Sequence, residues 1–207
     1  MKFRGRPSYH QFDIPMIKRL LGQTLGSVVI FIFEVLQIAV LAVLAIAVIR
    51  VFIIKPFIVQ GASMEPNFHD KDYLIVDEIS YHLRDAKRGE VVVFHPPNQS
   101  RAQFYIKRVI GLPGEKVEII DGEIWIYNDQ YPNGIQLHED YIHEYTQGRV
   151  SITVGLDEYF LLGDNRDSSL DSRNFGPVPM VNVIGKVLVR GLPLSRLGPI
   201  ERPLYTF

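Results

Sequence analysis

The sequence predicts a mainly β domain that follows a single N-terminal transmembrane helix. The one long apolar segment lies before residue 55, and the rest of the chain alternates short apolar runs with turn-forming residues. Among these turns, Asp121-Gly122 between two alternating runs is a strong β-hairpin signal. Many short strands with frequent turns are typical of a β-barrel or a β-sandwich.

The composition limits the classes of function. The chain has 207 residues, enough for one sizeable domain, and its formal net charge of −1 gives no basic excess for binding nucleic acid. It contains no cysteine, which excludes disulfides, thiolate zinc sites and a cysteine nucleophile. We therefore expect no nucleic-acid partner.

The membrane span is predicted at Val28–Ile49, because a bilayer span needs about 20 mostly apolar residues. Glu34 and Arg50 are the only charged residues in this segment and its apolar flanks, and each would lie near a membrane interface. The alternative is a cleaved signal peptide, since Ala45-Ile-Ala47 has a small-x-small pattern. The apolar stretch is longer than a signal-peptide core and no polar region follows it, which favours a retained span.

The charges before the span predict its orientation. Five basic residues precede it, against one acid, and the positive-inside rule then keeps this end in the cytoplasm. The residues are Lys2, Arg4, Arg6, Lys18 and Arg19 against Asp13. We expect residues 1–27 to be cytoplasmic, 28–54 to form the membrane helix and its exit, and 55–207 to form an extracytoplasmic domain. The protein would then be a single-pass protein of the plasma membrane.

Seven short segments of this domain have the composition of β-strands, with β-branched and aromatic residues between turn formers. They are Asp72–Asp77, Glu90–Phe94, Gln103–Ile110, Lys116–Ile120, Glu123–Tyr127, Glu158–Leu162 and Val183–Arg190. Residues 128–149 are polar and rich in turn formers, which predicts a variable loop or lobe. Helical turns are expected only as short pieces, near Ser80–Arg84.

Ser63 is the candidate nucleophile. It lies in the segment Gly61-Ala-Ser-Met-Glu-Pro66, nine residues after Ile54. An extended chain covers at most about 3.3–3.6 Å per residue, so Ser63 would lie within about 30 Å of the membrane surface and act on membrane-close substrates. A serine in such a loop more often caps a turn, and only a neighbouring base makes its hydroxyl a nucleophile.

Lys107 is the candidate base. It lies in the predicted strand Gln103–Ile110, where alternation puts Lys107 and Arg108 on opposite faces without telling which face is buried. If Lys107 points inward, desolvation lowers its pKa from about 10.4. Reaching a pKa of about 8 would cost about 3.3 kcal/mol against the charged form. A solvated strand lysine is the commoner case and remains the alternative.

The segment Gly163–Arg173 has more hydrogen-bonding groups than a plain turn needs. Asp171 and Arg173 are two residues apart and could pair across a tight bend, and Ser169 could orient a lysine amine. The alternative is an ordinary polar loop. The acidic residues do not follow the Asp-x-Asp-x-Asp-Gly pattern of a calcium loop, so we expect no metal here.

The histidines do not indicate a site of another kind. His138 and His143 are five residues apart, whereas the zinc motif His-Glu-x-x-His needs a spacing of four. The residue types for a Ser–His–Asp triad are present, but no histidine lies in a motif that indicates one.

Five blocks of the chain, in order, resemble the bacterial type I signal peptidases, the leader peptidases of the serine/lysine class. The blocks are Gly61–Pro66, Lys71–Val76, Gly89–Phe94, Tyr105–Glu115 and Gly163–Pro177. The resemblance covers roughly residues 50–190. It implies a catalytic domain of coiled antiparallel sheets and a membrane-bound endopeptidase that needs no cofactor. It also implies removal of signal peptides from exported preproteins after small residues, in a small-x-small pattern.

The resemblance also implies roles for the candidate residues. Ser63 would be the nucleophile and Lys107 its general base, with Ser169 orienting the lysine. Asp171 and Arg173 would form a structural ion pair that holds their segment.

Two further residues of the nucleophile block receive roles from the resemblance. Met64 would line the substrate pocket, and the Ser63 N–H would stabilise the oxyanion. Some members add a serine hydroxyl two residues before the nucleophile, but Gly61 occupies that position here. A backbone group or a water must then replace this donor. The implied partners are preprotein signal peptides and membrane lipid, with the secretion translocon as a further candidate.

Three other functions remain as alternatives. A dedicated pilus- or conjugation-type processing peptidase would differ only in its substrate. An inactive, membrane-anchored binding module is disfavoured because Ser63 and Lys107 are both present. A LexA-like self-cleaving regulator is disfavoured by the predicted span and because the chain has no Ala-Gly dipeptide.

Overall fold

The computed structural model describes residues 22–52, 54–79, 84–97, 99 and 102–205. The expectations for residues 1–21 and for helical turns at 80–83 lie outside this part of the chain. The chain divides into two units, Met1–Val51 and Phe52–Phe207.

The N-terminal unit is built around helix α1, Gln23–Phe52, which has 30 residues. Within it, Leu25–Ile46 has a mean hydropathy of 2.8, and by length and composition it could cross a membrane. Its large apolar side chains are exposed, as expected for a helix that is apolar all round. The helix contains the predicted span and ends at Phe52.

The second unit is mainly β and all its strand pairs are antiparallel. Its strands are β1 (Ile54–Ile58), β2 (Tyr73–Asp77), β3 (Val91–Phe94), β4 (Tyr105–Gly111), β5 (Lys116–Ile120), β6 (Glu123–Tyr127), β7 (Ile135–Gln136), β8 (Val150–Thr153), β9 (Glu158–Leu162), β10 (Val178–Pro179), β11 (Val183–Leu192) and β12 (Gly198–Pro199). A short helix, α2 (Ser172–Phe175), follows β9.

The strands form a large and a small sheet. The large sheet has eight strands in the order β1-β2-β11-β3-β4-β9-β10, with β12 beside β11, and the small sheet has the order β7-β6-β5-β8. Register shifts in the pairs of β11 and β4 mark bulges, which increase the twist of a sheet. The predicted fold class, a mainly β domain of coiled antiparallel sheets after one apolar helix, is confirmed.

All seven predicted strands are present, with ends that differ by at most two residues. The hairpin at Asp121-Gly122 is also present, and both residues have positive φ, 51° and 89°, as a type I′ turn requires. The sequence did not predict β1, which continues the apolar run of the helix, nor β7 and β8 in and after the polar segment 128–149. It also missed the two-residue strands β10 and β12.

Apolar clusters cover both faces of the large sheet. On β3, Val91 and Val93 belong to one cluster, whereas Val92 and Phe94 belong to another. The neighbouring β4 is covered in the same way, since Ile106 packs against the first cluster and Val109 lies in the second. Side chains on either face of β4 are therefore withdrawn from water.

Candidate active site

Ser63 lies on a closed loop between β1 and β2. At the base of the loop, the Val59 N–H donates to the Asp72 carbonyl and the Lys71 N–H donates to the Val59 carbonyl, each at 2.9 Å. These two backbone bonds bring the ends of the loop together. Ser63 is half-buried within it.

Met64, the next residue, fixes this loop to the apolar core of the domain. Its side chain is fully buried and belongs to the same apolar cluster as Phe68, Leu74 and Val93. The resemblance implied that Met64 lines the substrate pocket, but it is not among the residues that line the cleft described below. An unbranched apolar side chain directly after Ser63 is instead held in the core, which fixes the backbone of the candidate nucleophile.

Lys107 extends from β4 to this loop. Its Nζ lies 2.7 Å from the Ser63 Oγ and 2.9 Å from the Ile106 carbonyl oxygen, both within hydrogen-bond distance. The residue is only 3% exposed. Burial lowers the pKa of Lys107 from 10.5 to about 8, although the carboxylates of Asp171 and Asp164 act in the opposite direction. A substantial fraction of this amine is therefore neutral near pH 8.

Ser169 lies beside the same serine, across Gly163. A Cβ atom added to Gly163 would meet the Ser169 Oγ at 2.1 Å and the Ser63 carbonyl oxygen at 2.5 Å, so only glycine fits there. The Ser169 hydroxyl is buried and has no hydrogen-bond partner within the described residues. The bond to Lys107 that its expected role requires is therefore not formed in this structure.

Asp171 and Arg173 form a two-point ion pair. The Arg173 Nε and Nη2 donate to the two Asp171 carboxylate oxygens at 2.9 and 3.0 Å. Asp171 also caps helix α2 and accepts from the Gly163 N–H at 3.1 Å. Arg173 donates in addition to the Arg166 carbonyl at 2.7 Å. The pair thus ties both ends of the 163–173 segment together.

Arg108, on the opposite face of β4, pairs with Asp164. Its Nε and Nη2 donate to the two carboxylate oxygens at 2.8 and 2.5 Å, and its Nη1 donates to the Gly89 carbonyl at 2.9 Å. Asn67 from the Ser63 loop donates to the same carboxylate at 2.9 Å. Asp164 therefore joins β4, the Ser63 loop and the 163–173 segment. The sequence did not predict this pair, although both residues lie in the blocks that carry the resemblance.

Arg166 connects the 128–149 segment to the site. Its guanidinium is fully buried and donates to both carboxylate oxygens of Glu139 at 2.6 Å, and it also contacts the Thr146 hydroxyl. Its Nε donates to the Gly163 carbonyl at 2.9 Å. The segment predicted as a loop or lobe thus supplies the counter-ion for a buried arginine next to Gly163. No local sequence signal pairs these residues, which are 27 positions apart.

A cleft of about 910 Å³ runs up to Ser63 and Lys107. Residues 56–63 form one wall and residues 102–107 the other, with Leu74, Val93, Ser168 and Leu170 completing the lining. Among the described residues that line it, Lys107 alone is charged. Such a cleft suits an uncharged, extended peptide segment. Within the described residues, no group of His, Asp and Glu side chains could hold a metal ion.

Comparison with known proteins matches residues 32–192 to the signal peptidase family, peptidase S26. The chain belongs to this family. It is 40% identical over 154 residues to a signal peptidase I of Leptolyngbya laminosa, which covers 70% of this chain and 72% of that protein. It is also 40% identical over 147 residues to a probable signal peptidase I-2 of Synechocystis sp., which covers 68% of this chain and 64% of that protein.

A solved signal peptidase I from Enterococcus faecalis is 34% identical, and the match covers 50% of this chain and 97% of that one with a TM-score of 0.43. The family is one of serine endopeptidases, and the chain is accordingly a signal peptidase that removes signal peptides from preproteins. The N-terminal apolar helix fits a membrane-anchored protein. Membership of a peptidase family further disfavours the inactive binding module.

Proposed function

We propose that this signal peptidase cuts preproteins through a serine/lysine acyl-enzyme mechanism, with Ser63 as the nucleophile and Lys107 as the general base. The observation that carries the proposal is the 2.7 Å contact between the Lys107 Nζ and the Ser63 Oγ. A lysine acts as a base only when it is neutral, and burial lowers the pKa of Lys107 to about 8. Geometry and protonation therefore support the same assignment.

In the first half-reaction, neutral Lys107 takes the hydroxyl proton as the Ser63 oxygen attacks the carbonyl carbon of the residue before the cleavage site. The resulting oxyanion collapses, the peptide C–N bond breaks, and the Lys107 ammonium gives its proton to the leaving amine. In the second half-reaction, Lys107 takes a proton from water as the water attacks the acyl-enzyme. The ester bond breaks, the signal peptide leaves as a carboxylate, and Ser63 recovers its proton.

The Ser63 N–H is the proposed oxyanion donor. It donates no hydrogen bond within the described part of the chain, so it is available to the substrate. A preorganised donor of this kind is worth about 3–4 kcal/mol of transition-state stabilisation. Gly61 offers no side-chain donor, so a second donor has to come from a backbone group or from water.

Ser169 is the proposed orienting group for Lys107. Its hydroxyl is buried without a partner, and a protonated lysine has three donors, of which two have partners here. In this proposal the Ser169 hydroxyl accepts from the amine when the ammonium forms. The Asp171–Arg173 pair would keep Ser169 in place by holding its segment.

The proposed substrate has small side chains near the cut, in the small-x-small pattern that the resemblance to the family implies. We further propose that residues 1–27 are cytoplasmic, that 28–54 hold the span and its exit, and that 55–207 form the extracytoplasmic catalytic domain. Membrane lipid and the secretion translocon would then be its neighbours. Because the chain has no cysteine, a cysteine placed at exposed Asp129 should react with a membrane-impermeant thiol reagent on intact cells. Labelling that occurs only after lysis would indicate the opposite orientation, with the catalytic domain in the cytoplasm.

The mechanism is tested by preprotein cleavage with the detergent-solubilised chain from pH 6 to 10. Lys107→Ala and Ser63→Ala should each abolish cutting after a small-x-small site, and wild-type kcat/KM should rise with pH through about 8, the pKa of Lys107. Lys116→Ala is the matched control, because Lys116 is an exposed lysine on another strand. Wild-type activity in Lys107→Ala would remove Lys107 as the base and would reopen the histidine alternatives.

A further inference from the structure

A short arm, Gln60–Ala62, leads into the candidate nucleophile. On its N-terminal side Val59 is fixed by the two backbone bonds at the base of the loop. On its C-terminal side the Ser63 carbonyl accepts from the Asn165 N–H at 3.2 Å, and Met64 is buried. The three residues between these anchors are all exposed, so packing does not hold them.

Gly61 is the central residue of this arm, and glycine has more backbone freedom than any other residue type. It has a φ of +85°, and no atom lies within 4 Å of the position that a Cβ would take. Glycine loses more backbone freedom on folding than any other residue, so such an arm keeps one conformation only if something holds it. Two polar contacts do so: the Gly61 N–H donates to the Asp70 Oδ1 at 2.9 Å, and the Ala62 carbonyl accepts from the Glu65 N–H at 3.1 Å.

Asp70 lies on the C-terminal side of the same loop. Asp72, two residues later, has a different role. Asp72 is fully buried and pairs with Arg190 and Arg196 at 3.0 and 2.9 Å, which holds the loop to the sheet. Asp70 is exposed, and within the described part of the chain its side chain hydrogen-bonds only to the Gly61 backbone. Loss of Asp70 should therefore leave the fold intact and release the arm alone.

We propose that Asp70 is a positioning residue of the peptidase reaction, which fixes the arm before Ser63 by accepting the Gly61 N–H. The proposal rests on the proposed roles of Ser63. The arm is held by this bond and by the Glu65 N–H, which donates to the Ala62 carbonyl at 3.1 Å, and together the two bonds set the direction of the Ser63 N–H. An oxyanion exists only in the transition state and the tetrahedral intermediate. A released arm therefore lowers kcat more than it raises KM.

The test compares Asp70→Ala and Asp70→Asn with wild type in preprotein cleavage, with kcat and KM determined separately. A hydrogen bond to a charged group is worth enough to expect a loss of about tenfold in kcat for Asp70→Ala. KM should rise by a smaller factor, because residues 60–62 also line the cleft. Asp70→Asn should stay within about twofold of wild type, because its amide oxygen still accepts from the Gly61 N–H. Asp129→Ala, which removes another exposed carboxylate, is the matched control and should behave as wild type.

Two further measurements separate the possible results. Thermal unfolding of each variant establishes that it is folded, and Ser63→Ala in the same assay tests the mechanism independently of Asp70. If Ser63→Ala is inactive and Asp70→Ala keeps the wild-type kcat, the positioning role is wrong while the mechanism stands. An equal loss in Asp70→Asn and Asp70→Ala would also overturn it, since the acceptor is present in one and absent in the other.

Discussion

Lys107 and Arg108 are consecutive residues of β4, and the two faces of this strand use burial in opposite ways. Each residue is only 3% exposed. Lys107 faces a hydroxyl and a carbonyl, and within the described residues no carboxylate lies within hydrogen-bond distance of its amine. Arg108 faces Asp164 and donates to both of its oxygens.

The difference shows that burial by itself does not decide whether a cation stays charged. A lysine without a close anion responds to desolvation by releasing its proton, and the pKa of Lys107 is accordingly lowered to about 8. A guanidinium cannot be deprotonated in a protein, so a buried arginine needs a paired acid. One strand thereby supplies a candidate base on one face and a structural ion pair on the other.

The largest expected effect comes from replacing Lys107 with arginine, so that both faces of β4 carry a guanidinium group. Lys107→Arg keeps a long cationic side chain but removes the neutral amine, so kcat/KM for preprotein cleavage should fall by about 10³-fold or more, in the range of general-base contributions. Lys116→Arg, on an exposed position of β5, is the control and should retain activity. Activity within about tenfold of wild type in Lys107→Arg would contradict the assignment of Lys107 as the base.

The second effect comes from removing the anion on the Arg108 face. Asp164→Ala leaves a buried guanidinium unpaired, which typically costs about 3–5 kcal/mol of unfolding free energy. For a domain of this size the Tm should fall by about 10 °C in thermal unfolding. Asp167→Ala, an exposed acid of the same segment, should leave Tm almost unchanged. Equal Tm values for the two variants would mean that Asp164 does not support Arg108.

The smallest expected effect is a gain in the free energy of unfolding, and it comes from replacing Lys107. Below pH 8 the folded protein carries a buried ammonium that the unfolded chain holds in water, so Lys107→Met should raise the unfolding free energy by up to about 3 kcal/mol at pH 7. Between pH 8 and 10.5 the wild type gains stability, because only its unfolded state is still protonated. The advantage of Lys107→Met should therefore shrink towards pH 10. A gain that does not vary with pH in denaturant unfolding would contradict the lowered pKa.

Much of the fold follows from local sequence signals. The seven predicted strands and the Asp121-Gly122 hairpin depend on alternation and turn chemistry within a few residues, and these were found at nearly the predicted positions. Strand β1 was missed because Ile54–Ile58 directly follows the apolar run of helix α1 and contains a lysine and a proline, which weaken the strand signal. Strand β7 was missed because its two residues depend on pairing with β6.

The sequence by itself determined that Ser63 and Lys107 are candidates, since their blocks occur in order, and that their domain is β-rich. Alternation along β4 separated Lys107 from Arg108, but only the tertiary structure decided that both faces are covered. It also decided that Arg108 meets Asp164, 56 positions away, and that Met64 points into the core. The physical reason is that side-chain direction is a local property of the backbone, whereas burial and ion pairing depend on which distant segments pack against each face.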